Sequence, residues 1–185
     1  AHIADYGKFP EHEVLYNPKN PKQGEEAEIF TALVQFKEYI VSKGYRLDIA
    51  SIDLGNWLST VEKYLGAHGK DWPCRVFGSR GRANNMYRVP KSALMSKEHM
   101  YLSPYRSGVK VITHNACRLR ERMQKSFLLS MGIPQGITLF GQPMEHSTLA
   151  EHILAETLAE IREGRHGLEY LWEVKGINDL CDAVV

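Results

Sequence analysis

The sequence predicts an α/β fold, a mixed sheet flanked by helices. Three observations carry this: short Ile- and Val-rich runs alternate with helical periods, turn residues mark each change of period, and one run delivers a carboxylate to a glycine turn. Strands are expected around Ile3, Ile49, Val76, Val111, Leu139 and Leu171, in one sheet. A chain of 185 residues with 43% hydrophobic content supports a single domain with a real core over residues 1–185.

His2-Ile3-Ala4-Asp5 reads as the tail of a strand, and Pro10, Pro18 and Pro21 are expected to prevent regular structure up to about Gly24. From Glu25, apolar residues at Ile29, Leu33, Phe36 and Ile40 keep a helical period that should stop near Gly44. The stretch from Arg46 to Asp53 reads as a buried strand ending in Asp53-Leu54-Gly55, and a helix follows from Trp57 to Leu65. Asp53 then lies at the C-terminal edge of a strand, where open α/β sheets keep their sites.

Pro73 to Gly78 reads as a short strand, and Ser79 to Lys91 as a loop with four cations and no acid. Val109 to Thr113 alternates as a strand, and Asn115 is placed to cap a helix running to about Met131, with Leu119, Met123 and Leu128 inward. Gly136 to Phe140 is a further short strand. Thr148 and Glu151 suggest a capping box for a helix from Leu149 to Ile161, and Leu168 to Val174 is the last strand before an acidic turn carrying Asp179 and Asp182.

The net charge of +1 conceals an asymmetry. Between Arg75 and Lys125 twelve Lys or Arg face two acids, Glu98 and Glu121, which gives that segment +10 and the remainder −9. Such an excess points to a polyanion partner, because neutralising phosphates releases counterions. Within it, Arg75, Arg80, Arg82, Arg88 and Lys91 are the candidate phosphate contacts, with Arg118, Arg120, Arg122 and Lys125 extending the positive field. The 79–91 stretch reads equally as a phosphate-contacting loop or as a solvated surface loop.

There is no P-loop, no GxGxxG after a strand, no GxSxG and no HExxH, so nucleotide hydrolysis, dinucleotide redox chemistry and the common hydrolase motifs lack support. Cys74, Cys117 and Cys181 are odd in number and form no CxxC pair, which fits a reducing cytoplasm and signals neither a disulfide framework nor a zinc site. No apolar run reaches the length of a membrane span. His114 stands at a strand-to-helix junction, where a structural hydrogen-bonding role is the ordinary one. The remaining chemistry is a carboxylate pair: if Asp53 and Asp182 meet, they suit a divalent cation, since hard cations prefer carboxylate oxygens.

The order of these segments resembles the C-terminal nuclease domain of the tailed-phage terminase large subunit, the GpA type. The matching pieces are Ile52-Asp53-Leu54-Gly55, Arg75-Val76-Phe77 with the basic stretch after it, Val111 to Arg122, Ile137 to Phe140, and Tyr170 to Glu173 leading to Asn178 through Ala183. The resemblance implies a ribonuclease H-like fold and a metal-dependent endonuclease that cuts concatemeric DNA during packaging, using two Mg2+ or Mn2+ ions. It gives Asp53 the role of the second metal-binding carboxylate and Asp182 that of the third, with Asp179 a neighbouring acidic candidate. It also implies double-stranded DNA, the terminase small subunit and the portal as partners, and the host cytoplasm as location, with a phage or prophage gene. The family's first carboxylate sits on an opening strand, so the chain is expected to lack that strand, to be a piece of a longer polypeptide without its ATPase domain, and to be inactive on DNA alone. A Rossmann-like or restriction-endonuclease-like sheet is the alternative fold. A non-catalytic DNA-binding or assembly module with an incomplete metal site is the alternative function.

Overall fold

The structure is a computed structural model and describes residues 2–3, 21–55, 57–83, 86–91, 94–95, 99–104, 108–164 and 167–176. In chain order the elements are β1 (His2–Ile3), α1 (Pro21–Ser42), β2 (Ile49–Asp53), α2 (Leu58–His68), β3 (Arg75–Arg82), β4 (Leu94–Met95), β5 (Met100–Pro104), β6 (Lys110–Asn115), α3 (Ala116–Phe127), β7 (Thr138–Leu139), α4 (Ser147–Leu154), β8 (Glu156–Gly164) and β9 (Gly167–Val174). Short 3-10 turns at Gly69–Asp71 and Pro143–His146 follow α2 and precede α4. The chain divides into two compact units, residues 8–81 with 89–113, and residues 1–7 with 82–88 and 114–185.

The first of these units has its core beneath one face of a sheet. Helix α1 starts earlier than expected because Pro21 suits the first helical turn, with no amide left orphaned and φ already near the helical value. It stops as expected at Gly44, whose φ of 66° turns the chain out of the helix while its N–H donates to the Val41 carbonyl at 3.1 Å. Ile40 from α1 joins Val61, Tyr64 and Leu65 from α2 and Trp72, Leu54 and Val111, with Ile29, Leu33, Ala50, Ile52 and Val76 packed around them.

The sheet order is β2-β3-β6-β5-β4, with β2 parallel to β3 and β4 antiparallel to β5. Strand β2 is half-buried rather than buried. Ala50 and Ile52 face the core while Ile49, Ser51 and Asp53 alternate onto an exposed side. Strand β3 runs four residues past Gly78, so Ser79 to Arg82 is strand and not loop. Pairing overrides composition here: Asp53 stands opposite Ser79, and the Leu54 N–H donates to the Ser79 carbonyl at 2.9 Å. Strands β4 and β5 have no counterpart among the sequence expectations.

In the second unit, α3 is capped as its sequence predicts, the Asn115 side chain accepting from the Arg118 N–H at 3.2 Å. It ends at Phe127, short of Met131, because the chain folds back and the Ile137 N–H donates to the Ser126 carbonyl. Leu128, expected inward, is 85% exposed. Helix α4 ends at Leu154, and residues expected to continue it form β8, paired antiparallel with β9 from Glu156 opposite Val174 to Gly164 opposite Gly167. Thr148 and Glu151 are not its capping pair; the Gln142 N–H donates to Glu145 Oε2 at 3.0 Å one turn earlier.

These pairings correct the expected single sheet. The strands around Ile49, Val76 and Val111 share one sheet, those at Ile3 and Leu139 pair with each other in parallel, and that at Leu171 pairs with β8. The architecture is α/β with a mixed sheet and helices. No helix of the described residues is long and apolar enough to cross a membrane.

Candidate carboxylate site and basic strand

Asp53 is the last residue of β2 and is exposed. What fixes it is its successor. Leu54 is 1% exposed, its side chain fills the core beneath the strand end, and its backbone continues the ladder to Ser79. The turn at Gly55 follows at once, so the carboxylate stands at the C-terminal rim of a parallel pair, as its place in the sequence suggests.

Asp182 and Asp179 lie outside the described residues, and so does Cys181. Asp53 by itself supplies one carboxylate, whereas Mg2+ takes about six oxygens in near-octahedral geometry. Among the described residues no three His, Cys, Asp or Glu side chains gather to hold a metal ion. The described residues alone therefore do not complete a metal centre.

The five candidate phosphate contacts do not share one loop. Arg75 opens β3 opposite Ile49, and Arg80 and Arg82 close it; at about 3.3 Å per residue the two ends are roughly 23 Å apart. Arg80 and Arg82, two apart on one strand, leave it on the same side, and both are half-buried. Arg88 is exposed and donates from Nη1 to the Tyr87 carbonyl at 2.8 Å, and Lys91 is exposed.

The expected positive field of α3 is partly neutralised within its own unit. Glu121 receives Lys125 Nζ at 2.7 Å and Arg118 Nη1 at 3.4 Å. The Lys125 hydrogen bond, aided by the charges of Lys125 and Arg118, holds the Glu121 carboxyl below its ordinary range against the opposing effect of burial. The Arg118 guanidinium also lies 4.5 Å from the Tyr170 ring centre. Arg120 Nε sits 2.8 Å from Glu156 Oε2, a contact of charge rather than an aligned hydrogen bond. The basic excess seen in the sequence is thus partly internal to the fold, and on β3 Arg80 and Arg82 follow Ser79, the partner of Asp53, but leave the strand on the opposite side from it.

No protein-family model matches this chain. Nor does any curated protein or solved structure at a significant level. The site therefore rests on its own geometry. Two of its residues carry no sequence signal of function: Ser79, which pairs with Asp53, and Gly78, buried against Leu54. The sequence reads Gly78 as the end of a short strand and Ser79 as the start of a basic loop, and only the pairing with β2 reveals the two as the wall of the Asp53 corner.

His146 has its Nε2 2.9 Å from the Phe140 carbonyl, a local tie within its turn. Cys74 and Cys117 are free thiols; burial, with the charge of Asp48, pushes the Cys74 thiol up, which makes it a poor nucleophile.

Proposed function

We propose that this chain is the nuclease domain of a GpA-type terminase large subunit, with a ribonuclease H-like fold, acting on double-stranded DNA at the corner formed by β2 and β3. One observation carries the reading: the register sets Asp53 opposite Ser79, so an exposed carboxylate ends β2 beside the point where β3 passes into Arg80-Gly81-Arg82, a run suited to phosphates whose two arginines leave the sheet on the side opposite to Asp53. In this reading Asp53, Asp182 and Asp179 would hold Mg2+ or Mn2+, which would polarise a phosphoryl oxygen and help to activate the attacking water. The chain's own part is to present carboxylate oxygens at a rigid strand end and to seat the DNA backbone with arginines.

The reading predicts sequence-tolerant, salt-sensitive DNA binding. Arg80→Ala with Arg82→Ala should reduce the slope of log K against log salt by about 2, roughly 0.9 for each phosphate that is no longer neutralised. Fluorescence anisotropy with duplexes of unrelated sequence reads this directly; an unchanged slope makes these arginines a structural strand end. For catalysis, Mn2+-dependent nicking of supercoiled plasmid by the full polypeptide should fall to background in Asp53→Asn and in Asp182→Asn. DNA binding with its salt slope but no metal-dependent nicking would instead establish the non-catalytic DNA-binding module, and nicking indifferent to Asp53→Asn would remove Asp53 from the catalytic set.

A further inference from the structure

We infer that Gly55 is a positioning residue for Asp53, holding open the space that the Asp53 carboxylate occupies; the inference rests on the reading of Asp53 as the acid of the site. A Cβ built on Gly55 would lie 2.5 Å from Asp53 Oδ2 and 3.6 Å from its Cγ, and among the described residues other than its chain neighbours nothing else comes within 4 Å of it. Two heavy atoms do not remain at the shorter distance, so one of them moves. Backbone conformation does not require glycine here. Among the described residues the glycines with left-handed φ are Gly44, Gly108, Gly132 and Gly141, and Gly55 is not one of them. Space alone demands it, and the described group that uses the space is the carboxylate.

What would yield is equally well defined. Asp53 is held in register with Ser79, and the Leu54 N–H is bonded to the Ser79 carbonyl. The Leu54 side chain is wedged against Gly78, where an added Cβ would stand 3.0 Å from Leu54 Cδ1 and 3.1 Å from Cδ2. With the backbone fixed on both strands, the Asp53 side chain relieves a clash at Gly55 by rotating about its own bonds. The carboxylate is exposed, so the rotation disturbs no packing. Gly78 and Gly55 therefore act on the same corner with different signatures. The first seats the backbone through Leu54, and the second seats the carboxylate.

Gly55→Ala is accordingly a change that leaves the fold intact and re-aims one functional group. The test is the carbon-13 resonance of the Asp53 carboxyl, assigned by its loss in Asp53→Asn, measured together with melting temperature, DNA affinity and plasmid nicking by the full polypeptide. The expected result for Gly55→Ala is a displaced Asp53 resonance, a melting temperature unchanged or slightly raised, unchanged DNA affinity, and at least a tenfold loss of nicking rate. In an Asp53→Ala background, adding Gly55→Ala should change nothing further. Gly78→Ala, by contrast, should lower the melting temperature because Leu54 must give way. An Asp53 resonance that stays in place in Gly55→Ala overturns the inference whatever the nicking assay shows. If the resonance moves but Asp53→Asn nicks at the wild-type rate, the seat exists and the proposed catalytic role of Asp53 is what fails, which overturns Gly55 as a positioning residue for the reaction.

Discussion

Glu156→Ala should destabilise the protein by about 3–5 kcal/mol, the range found when one member of a buried ion pair is removed. Glu156 opens β8 and is 2% exposed, with Oε2 2.8 Å from Arg120 Nε on α3. Its carbonyl also accepts from Gln124 Nε2 at 2.9 Å, so two successive turns of α3 converge on the first residue of the strand. Deleting the carboxylate removes a counter-charge 2.8 Å from a guanidinium whose side chain is 22% exposed. The loss comes chiefly from a desolvated cation left with less compensation rather than from the attraction itself. Replacing both partners by apolar residues of similar size, Arg120→Met with Glu156→Leu, should therefore be neutral or stabilising by about 1–4 kcal/mol. Urea unfolding of the single and double variants checks both signs. Equal destabilisation by the single and double changes would show that packing, not charge, is what Glu156 supplies. The nearby Lys125–Glu121 pair is a useful contrast, since Lys125 is largely exposed and an exposed helical pair contributes about 0.3–0.5 kcal/mol.

The Glu156–Arg120 pair also shows where a sequence stops being readable. Arg120 belongs to a basic run, and the run alone suggests a surface for phosphates; its partner is 36 residues away and the helix-like period before it hides a strand. Residues 156–161 continue the apolar spacing of α4 well enough to read as helix, and only their pairing with 167–174 makes them β8. Local patterns do identify α1, α2 and α3, with the Asn115 cap and the Gly44 stop, because periodicity, caps and left-handed glycines act within a few residues. The second half of β3 escapes for the opposite reason. Ser79-Arg80-Gly81-Arg82 has a turn's composition, and its strand state is imposed by β2. Asp53 is legible as the end of a strand, since an apolar run followed by Asp-Leu-Gly is a local signal. That its alternate neighbours Ile49 and Ser51 are exposed, and that its carboxylate leans into the space above Gly55, depend on which face the helices cover.

Tyr64→Ala should cost about 3–5 kcal/mol, as truncations of large buried aromatic side chains do. Tyr64 is 0% exposed at the centre of the core under β2 and β3. Its ring meets Phe30 edge-on with centroids 5.4 Å apart, which ties α2 to α1, and its hydroxyl accepts from Trp72 Nε1 at 3.2 Å. Tyr64→Phe separates these contributions. It keeps the ring contact and leaves the buried indole N–H without its acceptor, for an expected loss of about 1–3 kcal/mol. The phenol also makes stability depend on pH. Burial is the main cause that raises it above the ordinary range, the charge of Asp71 adds to the rise, and the Trp72 hydrogen bond opposes it. A folded-state value above the unfolded one means that the folded protein keeps its proton while the unfolded chain loses it. The contribution is full below the unfolded phenol value of about 10 and is lost as pH rises through the raised folded value. Unfolding free energy should therefore fall with pH above about 10 in the wild type, with a shallower fall in Tyr64→Phe. Denaturant titrations from about pH 9 to about pH 11 measure the two slopes across that window, and identical slopes would assign the alkaline loss to some group other than Tyr64.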